Sequence, residues 1–218
     1  MVMGKVEIIG FPQSTYVRVV RMVCEEKGIE YELKPAAPHS PEVSAVHPFG
    51  KIPVMRHGGF ELCESKAIAT YLDLSFPGPR VIPTEPRDAA LTEQWISLVN
   101  SVMDGTMVRQ YLFAYVFPKT ADGSPDRALI DKVMPVVQEQ LRLLDRAVAE
   151  TGYLVGAAVT VADLNLMPIL YYLQRFPEGA AAVEALPYLA AYYRRLAARA
   201  SFERTTPPPV PPRQAKAS

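Results

Sequence analysis

Ser14 stands where a helix is expected to begin, and a hydroxyl at that position can do chemistry. It follows a short apolar strand and opens an amphipathic stretch that ends at Gly28. The side chain can cap the helix by accepting a hydrogen bond from an orphan N–H group. The same hydroxyl, beside the positive end of the helix dipole, can also donate to a thiolate. Thr15 is the next candidate donor, and Tyr16 is a more distant one.

Glu64 and Ser65 form a second polar pair at a predicted helix start. Ser65 can simply cap the helix while Glu64 stays solvated near its positive end. The pair can also hold a group that carries both an ammonium and a carboxylate. The Glu64 carboxylate would then accept from the ammonium, and the N–H and hydroxyl of Ser65 would bind the carboxylate. Taken alone, these residues leave both interpretations open.

A third candidate is an aromatic stripe late in a long helical segment. Met107, Tyr111 and Tyr115 are spaced by four residues and share one helical face. Phe113 and Phe117 share another face. Aromatic stripes of this kind usually belong to the core, but packing against one core needs only a single helical face. One face can therefore pack inward while the other borders a cleft, and we expect Tyr111 and Tyr115 to border it.

The pattern that positions these residues changes at about residue 76. The first part reads as β-α-β, a loop, then β-β-α, with a Gly58-Gly59 turn between the last two strands. This order predicts a thioredoxin-like domain over 1–76. Prolines keep 77–87 extended, which predicts a linker. Residues 88–205 show helical periodicity throughout and predict an all-helical domain, and 206–218 form a Pro-rich tail.

Within the helical part, the first long helix is expected from about Asp88 to Val116, bent near Gly105. Its inward side chains are predicted to be Trp95, Leu98, Val102 and Val108. A second helix should start at Ser124-Pro125 and kink near Pro135, and a further one should begin at Pro187. Thr160 and Asp163 have the spacing of a capping box, so Asp163 is interpreted as structural. Arg18 and Arg109 stay unassigned.

Composition excludes several classes of protein. The 218 residues are 49% hydrophobic and 21% charged, with 23 basic and 23 acidic side chains, so no net charge attracts nucleic acid or an anionic membrane. No apolar run approaches the roughly 18–20 residues of a spanning helix, and the N-terminus shows no apolar leader. We therefore expect a cytoplasmic protein. Cys24 and Cys63 are far apart, which excludes a CxxC motif and predicts reduced, buried thiols.

Several motifs in order resemble the cytosolic glutathione transferases, over nearly the whole chain. The motifs are Phe49-Gly50-Lys51-Ile52-Pro53, Leu62-Cys63-Glu64-Ser65-Lys66-Ala67-Ile68, Thr160-Val161-Ala162-Asp163 and Leu186-Pro187-Tyr188-Leu189 with the segment that follows. Gly10-Phe11-Pro12-Gln13-Ser14, Ser40-Pro41-Glu42 and His47-Pro48-Phe49-Gly50 resemble the phi class and its bacterial relatives, which use a serine at the thiolate.

The resemblance implies an α/β thioredoxin-like domain followed by a helical bundle, and a glutathione site on residues from both. Ser14, or else Thr15, would stabilise the glutathione thiolate. Pro53 would be cis, with the backbone of Ile52 facing the glutathione peptide. The other glutathione and second-substrate contacts implied are Glu64 and Ser65 at the γ-glutamyl group, His39 and Lys51 at the glycyl carboxylate, and Phe11, Tyr111 and Tyr115 at a hydrophobic electrophile.

The same resemblance implies a detoxifying transferase that is a two-fold homodimer, uses glutathione as co-substrate and needs no metal or tightly bound cofactor. His39 and Lys51 depart from the family pattern, in which a lysine and a glutamine are usual. Two other functions stay open. The chain could be a glutathione-dependent isomerase or peroxidase with another second substrate. It could also be a binding module without turnover, although such a module need not keep Ser14, Glu64 and Ser65 together.

Overall fold

The computed structural model describes residues 4–208, and its first half is a thioredoxin-like domain. Four short strands and two helices follow the predicted order, and a third, short helix lies in the segment predicted as a loop. The bounds are β1 Val6–Ile9, α1 Thr15–Lys27, β2 Tyr31–Lys34, α2 Pro41–Ser44, β3 Val54–His57, β4 Phe60–Cys63 and α3 Ser65–Ser75. The strands form one sheet in the order β2-β1-β3-β4. β1 pairs in parallel with β2, whereas β3 is antiparallel to both β1 and β4.

Local chemistry sets the ends of these elements as predicted. Ser14 is the N-cap of α1, and Gly28 ends that helix in the left-handed conformation with φ 67°. Gly58 and Gly59, with φ 56° and 87°, make the turn between β3 and β4. At α3 the prediction is wrong by one residue. Ser65 is the first helical residue rather than the cap, because Glu64 occupies the cap position with φ 70° and no side-chain cap bond.

The second half is all-helical and packs on the first through α1, which contacts α7 and α10. Its elements are α4 Pro86–Leu98, a π-helical segment Val99–Leu112, α5 Phe113–Val116, α6 Arg127–Val148, α7 Val161–Leu173, α8 Pro177–Glu184, α9 Pro187–Ala197 and α10 Ala200–Thr205. The predicted start at Pro187 and the capping box of Thr160 and Asp163 are confirmed. α6 begins at Arg127 with Asp126 as N-cap, not at Pro125.

The long first helix differs most from its prediction. Around Gly105 it is a π-helix, in which each backbone hydrogen bond encloses one more residue than in an α-helix. The wider turn rotates the buried face, and Val102 is 49% exposed. Trp95 and Leu98, at the end of the α-helical α4, are only half-buried. Ile96, Val99, Met103, Met107 and Tyr111 form the buried face instead, joined by the predicted Val108.

Arg18 and Arg21, on α1, bind the carboxyl end of α10. Arg18 donates to the carbonyl of Phe202 at 3.0 Å, and its guanidinium lies 4.0 Å from the centre of the Phe202 ring. Arg21 donates to the carbonyl of Thr205 at 3.2 Å. Burial lowers the pKa of Arg18 to about 10, so it remains charged at neutral pH. These contacts are structural, and they join the last helix to the first domain.

Other sequence predictions have mixed outcomes. Cys24 is a buried free thiol, and burial raises its pKa, but Cys63 is only half-buried. No helix within residues 4–208 has the length and apolar character needed to cross a bilayer. The bounds expected for the two domains and the linker stay predictions. Most of the Pro-rich tail, from residue 209 onward, lies outside the described residues.

Candidate active site

A cavity of about 1130 Å³ lies between the two domains and is bordered by both. Its volume is at the upper end of ligand pockets, which reach about 1,000 Å³, so it has room for two small molecules side by side. The wall from the first domain is mainly polar and contains Gln13, Ser14, Thr15, Tyr16, Pro38, His47, Lys51, Ile52, Pro53, Glu64 and Ser65. The facing wall comes from the helical domain and contains the apolar residues Val108, Leu112, Phe113, Val116 and Phe117 and the polar residues Asn100, Asp104, Arg109 and Tyr172. Phe11, from the loop after β1, also lines the cavity.

Ser14 lies on the polar wall at the N-terminus of α1. Its Oγ accepts from the Val17 N–H at 3.3 Å, so the hydroxyl is a helix cap. Because a hydroxyl can accept and donate at the same time, this bond leaves the proton of Ser14 available to a ligand. The capping and donor interpretations are therefore compatible. Thr15 also lines the cavity but is buried, whereas Ser14 is half-exposed.

Tyr16 is the third candidate hydroxyl on this wall. Burial, and after it the neighbouring Asp104 carboxylate, raises the pKa of Tyr16, so its hydroxyl stays protonated. Among the charged groups, the Asp104 carboxylate on the helical wall acts most strongly on this hydroxyl.

The loop before β3 brings backbone groups to the polar wall. The Ile52–Pro53 peptide bond is cis, as the resemblance implies. Gly10 approaches this loop so closely that an added Cβ would lie 3.0 Å from the Cβ of Ile52 and 2.6 Å from a methyl of Val17. A larger residue at position 10 would push the Ile52 loop away from the N-terminus of α1.

Glu64 and Ser65 lie side by side on the polar wall at the start of α3. Ser65 is buried, whereas the Glu64 side chain is 69% exposed. His47 Nε2 lies 3.3 Å from Glu64 Oε1, and the Phe49 N–H donates to His47 Nδ1 at 3.0 Å. Because Nδ1 accepts, the ring proton belongs on Nε2, where it faces the carboxylate. His47 therefore positions Glu64.

His39 and Lys51 are separated by the structure. Lys51 is exposed and lines the cavity. His39 is exposed but does not line it. Its φ is 64°, its N–H donates to the Gly50 carbonyl at 2.8 Å, and its ring packs so closely on Gly50 that a Cβ there would lie 2.3 Å from Nδ1. His39 thus lies next to the site, one residue from the lining Pro38.

Tyr111 and Tyr115 do not border the cavity, which corrects the expectation from the aromatic stripe. Tyr111 is fully buried and accepts from the Gly179 N–H at 2.9 Å. Tyr115 stacks on Phe176 with ring centres 4.1 Å apart and donates to Glu178. Although burial acts the other way, hydrogen bonds from Tyr115 and Arg127 lower the pKa of Glu178 to about 2. The two tyrosines attach the long helix to α8.

The opposite face of the stripe borders the cavity. Along the π-helix, the lining positions are spaced by four or five residues: Asn100, Asp104, Val108, Arg109, Leu112 and Phe113, followed by Val116 and Phe117. This spacing follows the wider turn of a π-helix. The four-residue spacing correctly groups the tyrosines on one face and the phenylalanines on another. It does not say which face borders the cavity, and the structure places Phe113 and Phe117 there.

Other lining residues had no role predicted from the sequence. His47 belongs to one of the motifs that resemble the family, but no role in the site was predicted for it. Asp104 carried a usable signal, since a carboxylate amid buried Met103 and Met107 requires a partner. No sequence signal marked Gln13 or Tyr172 as lining residues. Tyr172, on α7, donates to the Gln13 carbonyl at 2.6 Å, and the two residues are 159 positions apart. Burial raises the pKa of Tyr172 to about 12.

Comparisons with known proteins agree with this architecture. The family model of the glutathione S-transferase N-terminal domain matches residues 8–80, and that of the C-terminal domain matches residues 106–200. Glutathione S-transferase 3 of Zea mays is 30% identical over 222 residues, covering 96% of this chain and 98% of the relative. The chain belongs to the glutathione S-transferase family. Its relatives include plant phi-class members of that family.

Solved structures of other glutathione S-transferases have the same fold. Glutathione transferase F7 from Populus trichocarpa superposes with a TM-score of 0.83 at 26% identity, covering 92% of this chain and 97% of the other. A glutathione S-transferase from Methylobacillus flagellatus, solved with glutathione bound, superposes with a TM-score of 0.78 at 28% identity. That match covers 93% of this chain and all of the other. The similarity to this glutathione S-transferase therefore spans both domains.

Proposed function

We propose that this glutathione S-transferase joins the thiolate of glutathione to hydrophobic electrophiles, with glutathione as co-substrate. One observation carries the proposal: a single cavity combines a polar wall at two helix N-termini with an apolar wall from the helical domain. The polar wall suits a charged tripeptide, and the apolar wall suits a second molecule. Holding the two reactants together converts a bimolecular reaction into an effectively unimolecular one.

In the proposed reaction, Ser14 donates a hydrogen bond to the glutathione sulfur. A thiol with a pKa near ~8.5 is mostly protonated at neutral pH, and the donor together with the α1 dipole favours the thiolate. The thiolate attacks the electrophilic carbon, a carbon–sulfur bond forms, and the leaving group departs with the electron pair. Thr15 is the alternative donor. The free proton of the capping Ser14 hydroxyl supports the first choice.

The remaining polar residues are proposed to hold the peptide. Glu64 accepts from the γ-glutamyl ammonium, and the N–H and hydroxyl of Ser65 bind the γ-glutamyl carboxylate. The backbone of Ile52, before cis-Pro53, pairs with the glutathione backbone. Lys51, which lines the cavity, attracts the glycyl carboxylate, and His39, which packs on the neighbouring Gly50, adds to the positive charge near the cavity edge when it is protonated. The His47 contact to Glu64 supports this assignment, because it orients the carboxylate before any ligand binds.

The electrophile is proposed to bind against the apolar wall, between Phe11 and the ring pair of Phe113 and Phe117. Phe11 is 42% exposed and Phe117 is 55% exposed, so apolar surface is available to a ligand. Covering it would remove these rings from water, at about 25 cal/mol for each Å² buried.

Retention on immobilised glutathione, followed by assays with aryl halides, unsaturated carbonyls, a maleyl-type cis-trans substrate and hydroperoxides, tests the function. We expect retention and conjugation of the halides or carbonyls, with S-methylglutathione as a competitive inhibitor. Turnover of the cis-trans substrate alone, or of hydroperoxides alone, would replace conjugation with isomerisation or peroxide reduction. Retention without any turnover would favour a binding module.

Replacing Glu64 or Ser65 with alanine should raise the KM for glutathione more than it lowers kcat. The two residues hold a remote end of the peptide that changes little in the transition state. Loss of one hydrogen bond to a charged group costs about 1.5–3 kcal/mol, which corresponds to a KM about 10- to 100-fold higher. Steady-state kinetics with varied glutathione measures both constants.

Glu61→Ala is the matched control for Glu64→Ala. Glu61 is a nearby exposed carboxylate that pairs with Arg56 at 2.7 Å and does not line the cavity. Its KM should stay at the wild-type value. A wild-type KM in both Glu64→Ala and Ser65→Ala would show that the γ-glutamyl group binds elsewhere.

We propose that the chain is a two-fold homodimer in the cytoplasm, with a role in detoxification. Exposed apolar side chains on the first domain support an interface there, since Phe49 is 71% exposed and Leu74 is 67% exposed. A two-fold axis is the commonest symmetry of soluble oligomers.

Sedimentation at micromolar concentration should show a species of twice the 24.1 kDa chain mass. Phe49→Asp should shift it toward monomer, because a charge in an apolar interface has no partner. Val136→Asp, at a 51% exposed valine of α6, is the control and should remain dimeric. Wild-type protein that sediments only at 24.1 kDa would disprove the dimer.

A further inference from the structure

The apolar wall of the cavity contains one ion pair. Asp104 and Arg109 are five residues apart on the π-helix and both line the cavity. Arg109 Nε donates to Asp104 Oδ2 at 2.9 Å. The pair is asymmetric, because the Arg109 side chain is 53% exposed whereas that of Asp104 is 9% exposed. The guanidinium is therefore the more exposed of the two charges that line the cavity.

Arg109 keeps most of its hydrogen-bonding capacity. Within residues 4–208, only its Nε has a protein acceptor, and both terminal nitrogens are without one. These two nitrogens form the planar fork that matches the two oxygens of a carboxylate. Because Asp104 holds Nε, the direction of the fork is set by the protein. The guanidinium carbon also lies over the Phe113 ring, 5.3 Å from the ring centre.

The surroundings of the fork define the rest of the ligand. The neighbouring lining residues Val108, Leu112, Phe113 and Val116 are apolar. Lys51, the other exposed cation of the cavity, lies on the opposite wall beside Ile52. An occupant of the helical wall therefore meets a flat apolar surface that ends at one cation, which fits an aromatic body carrying one carboxylate.

We propose that Arg109 binds a carboxylate on the second substrate, so that the preferred electrophiles are aromatic molecules with an acidic group. The proposal rests on the proposed function, whose second-substrate site it specifies. Asp104 is a positioning residue that holds the guanidinium. Neutral electrophiles of the same shape would use the apolar wall alone.

The primary test measures binding without turnover. The full chain is saturated with S-methylglutathione, which occupies the peptide site, and is titrated calorimetrically with 3,5-dinitrobenzoate and with 3,5-dinitrobenzamide. The two probes share a ring and differ in charge. We expect the benzoate to bind about 10-fold tighter, which is about 1.4 kcal/mol. Arg109→Gln should make the two affinities equal, whereas Arg142→Gln, at an exposed arginine of α6 outside the cavity, should preserve the difference.

Two further variants separate recognition from folding. Arg109→Gln leaves the buried Asp104 carboxylate unpaired, so the double variant Asp104→Asn with Arg109→Gln removes both charges. It should also bind the two probes equally. Arg109→Lys keeps the charge but loses the fork and should retain only part of the preference. An undiminished preference for the benzoate in the double variant would overturn the assignment.

A catalytic comparison distinguishes this proposal from the proposed function. Glutathione is reacted with 4-chloro-3,5-dinitrobenzoate and with the matching benzamide. The carbon–sulfur bond forms, the carbon–chlorine bond breaks, chloride leaves with the electron pair, and the thiol proton passes to solvent. Each kcat/KM is divided by the uncatalysed rate, and we expect about 10-fold in favour of the benzoate. If the benzoate and the benzamide had equal normalised kcat/KM values and bound equally well, the role of Arg109 would be overturned, but conjugation would stand. Tighter benzoate binding without turnover would support Arg109 and contradict the transferase.

Discussion

The variant Ser14→Ala should lose about 10- to 1,000-fold in kcat, because removing a hydrogen-bond donor to a developing anion costs up to about 1,000-fold. The bound glutathione thiol should then titrate nearer the ~8.5 of a free thiol. Because the thiolate is the reactive form and is fully present only above its pKa, the loss should be largest at low pH and should shrink as the pH rises. The ultraviolet absorbance of the bound thiolate, followed against pH, measures the shift directly.

Ser40→Ala is the matched control for this experiment. Ser40 caps α2 by accepting from the Val43 N–H at 3.4 Å, as Ser14 caps α1 at 3.3 Å, but Ser40 does not line the cavity. Each variant should lose about 1 kcal/mol of stability with its cap, so kcat is given per folded molecule. Only Ser14→Ala should change the thiol pKa. An unchanged pKa and kcat would transfer the role to Thr15 or to backbone donors.

Asp163→Ala should lower the free energy of unfolding by at least about 3 kcal/mol and leave the turnover of the folded enzyme unchanged. The carboxylate is fully buried and accepts four hydrogen bonds. The donors are the N–H groups of Leu154 at 2.9 Å and Thr160 at 2.8 Å, and the hydroxyls of Thr160 at 3.0 Å and Tyr192 at 3.1 Å. Each buried donor left without a partner costs about 1–3 kcal/mol, although relaxation recovers part of the sum.

Two other variants provide reference values for the loss of stability expected in Asp163→Ala. Asp163→Asn keeps an acceptor oxygen and should lose less. Asp145→Ala removes a single acceptor, that of the Leu189 N–H at 2.8 Å, and should cost only about 1 kcal/mol. Urea unfolding measures all three, beside turnover per folded molecule. Unchanged stability with lost activity in Asp163→Ala would make Asp163 a site residue.

Contacts between neighbours in the chain explain what could be predicted from the sequence. A cap, a glycine turn and a capping box each involve residues at most a few positions apart, so their chemistry acts before the chain is folded. For this reason Ser14 and Gly28 bound α1 as predicted, Gly58 and Gly59 form the turn, and Thr160 with Asp163 starts α7. The order of these elements, with the motifs that resemble the family, was enough for the fold.

Tertiary structure decided which side chains face the cavity. The spacing of the aromatic residues separates the face of Tyr111 from that of Phe113, but only the contact of Tyr111 with Gly179 on α8 shows that the tyrosine is buried and that Phe113 borders the cavity. His47 lies 3.3 Å from Glu64 although the two residues are 17 positions apart in the sequence, and this contact exists only in the folded chain. Local sequence determines the ends and the order of elements, since those depend on neighbours in the chain. Which face of a helix borders the ligand cavity depends on packing between segments that are distant in the sequence. That packing exists only in the folded chain.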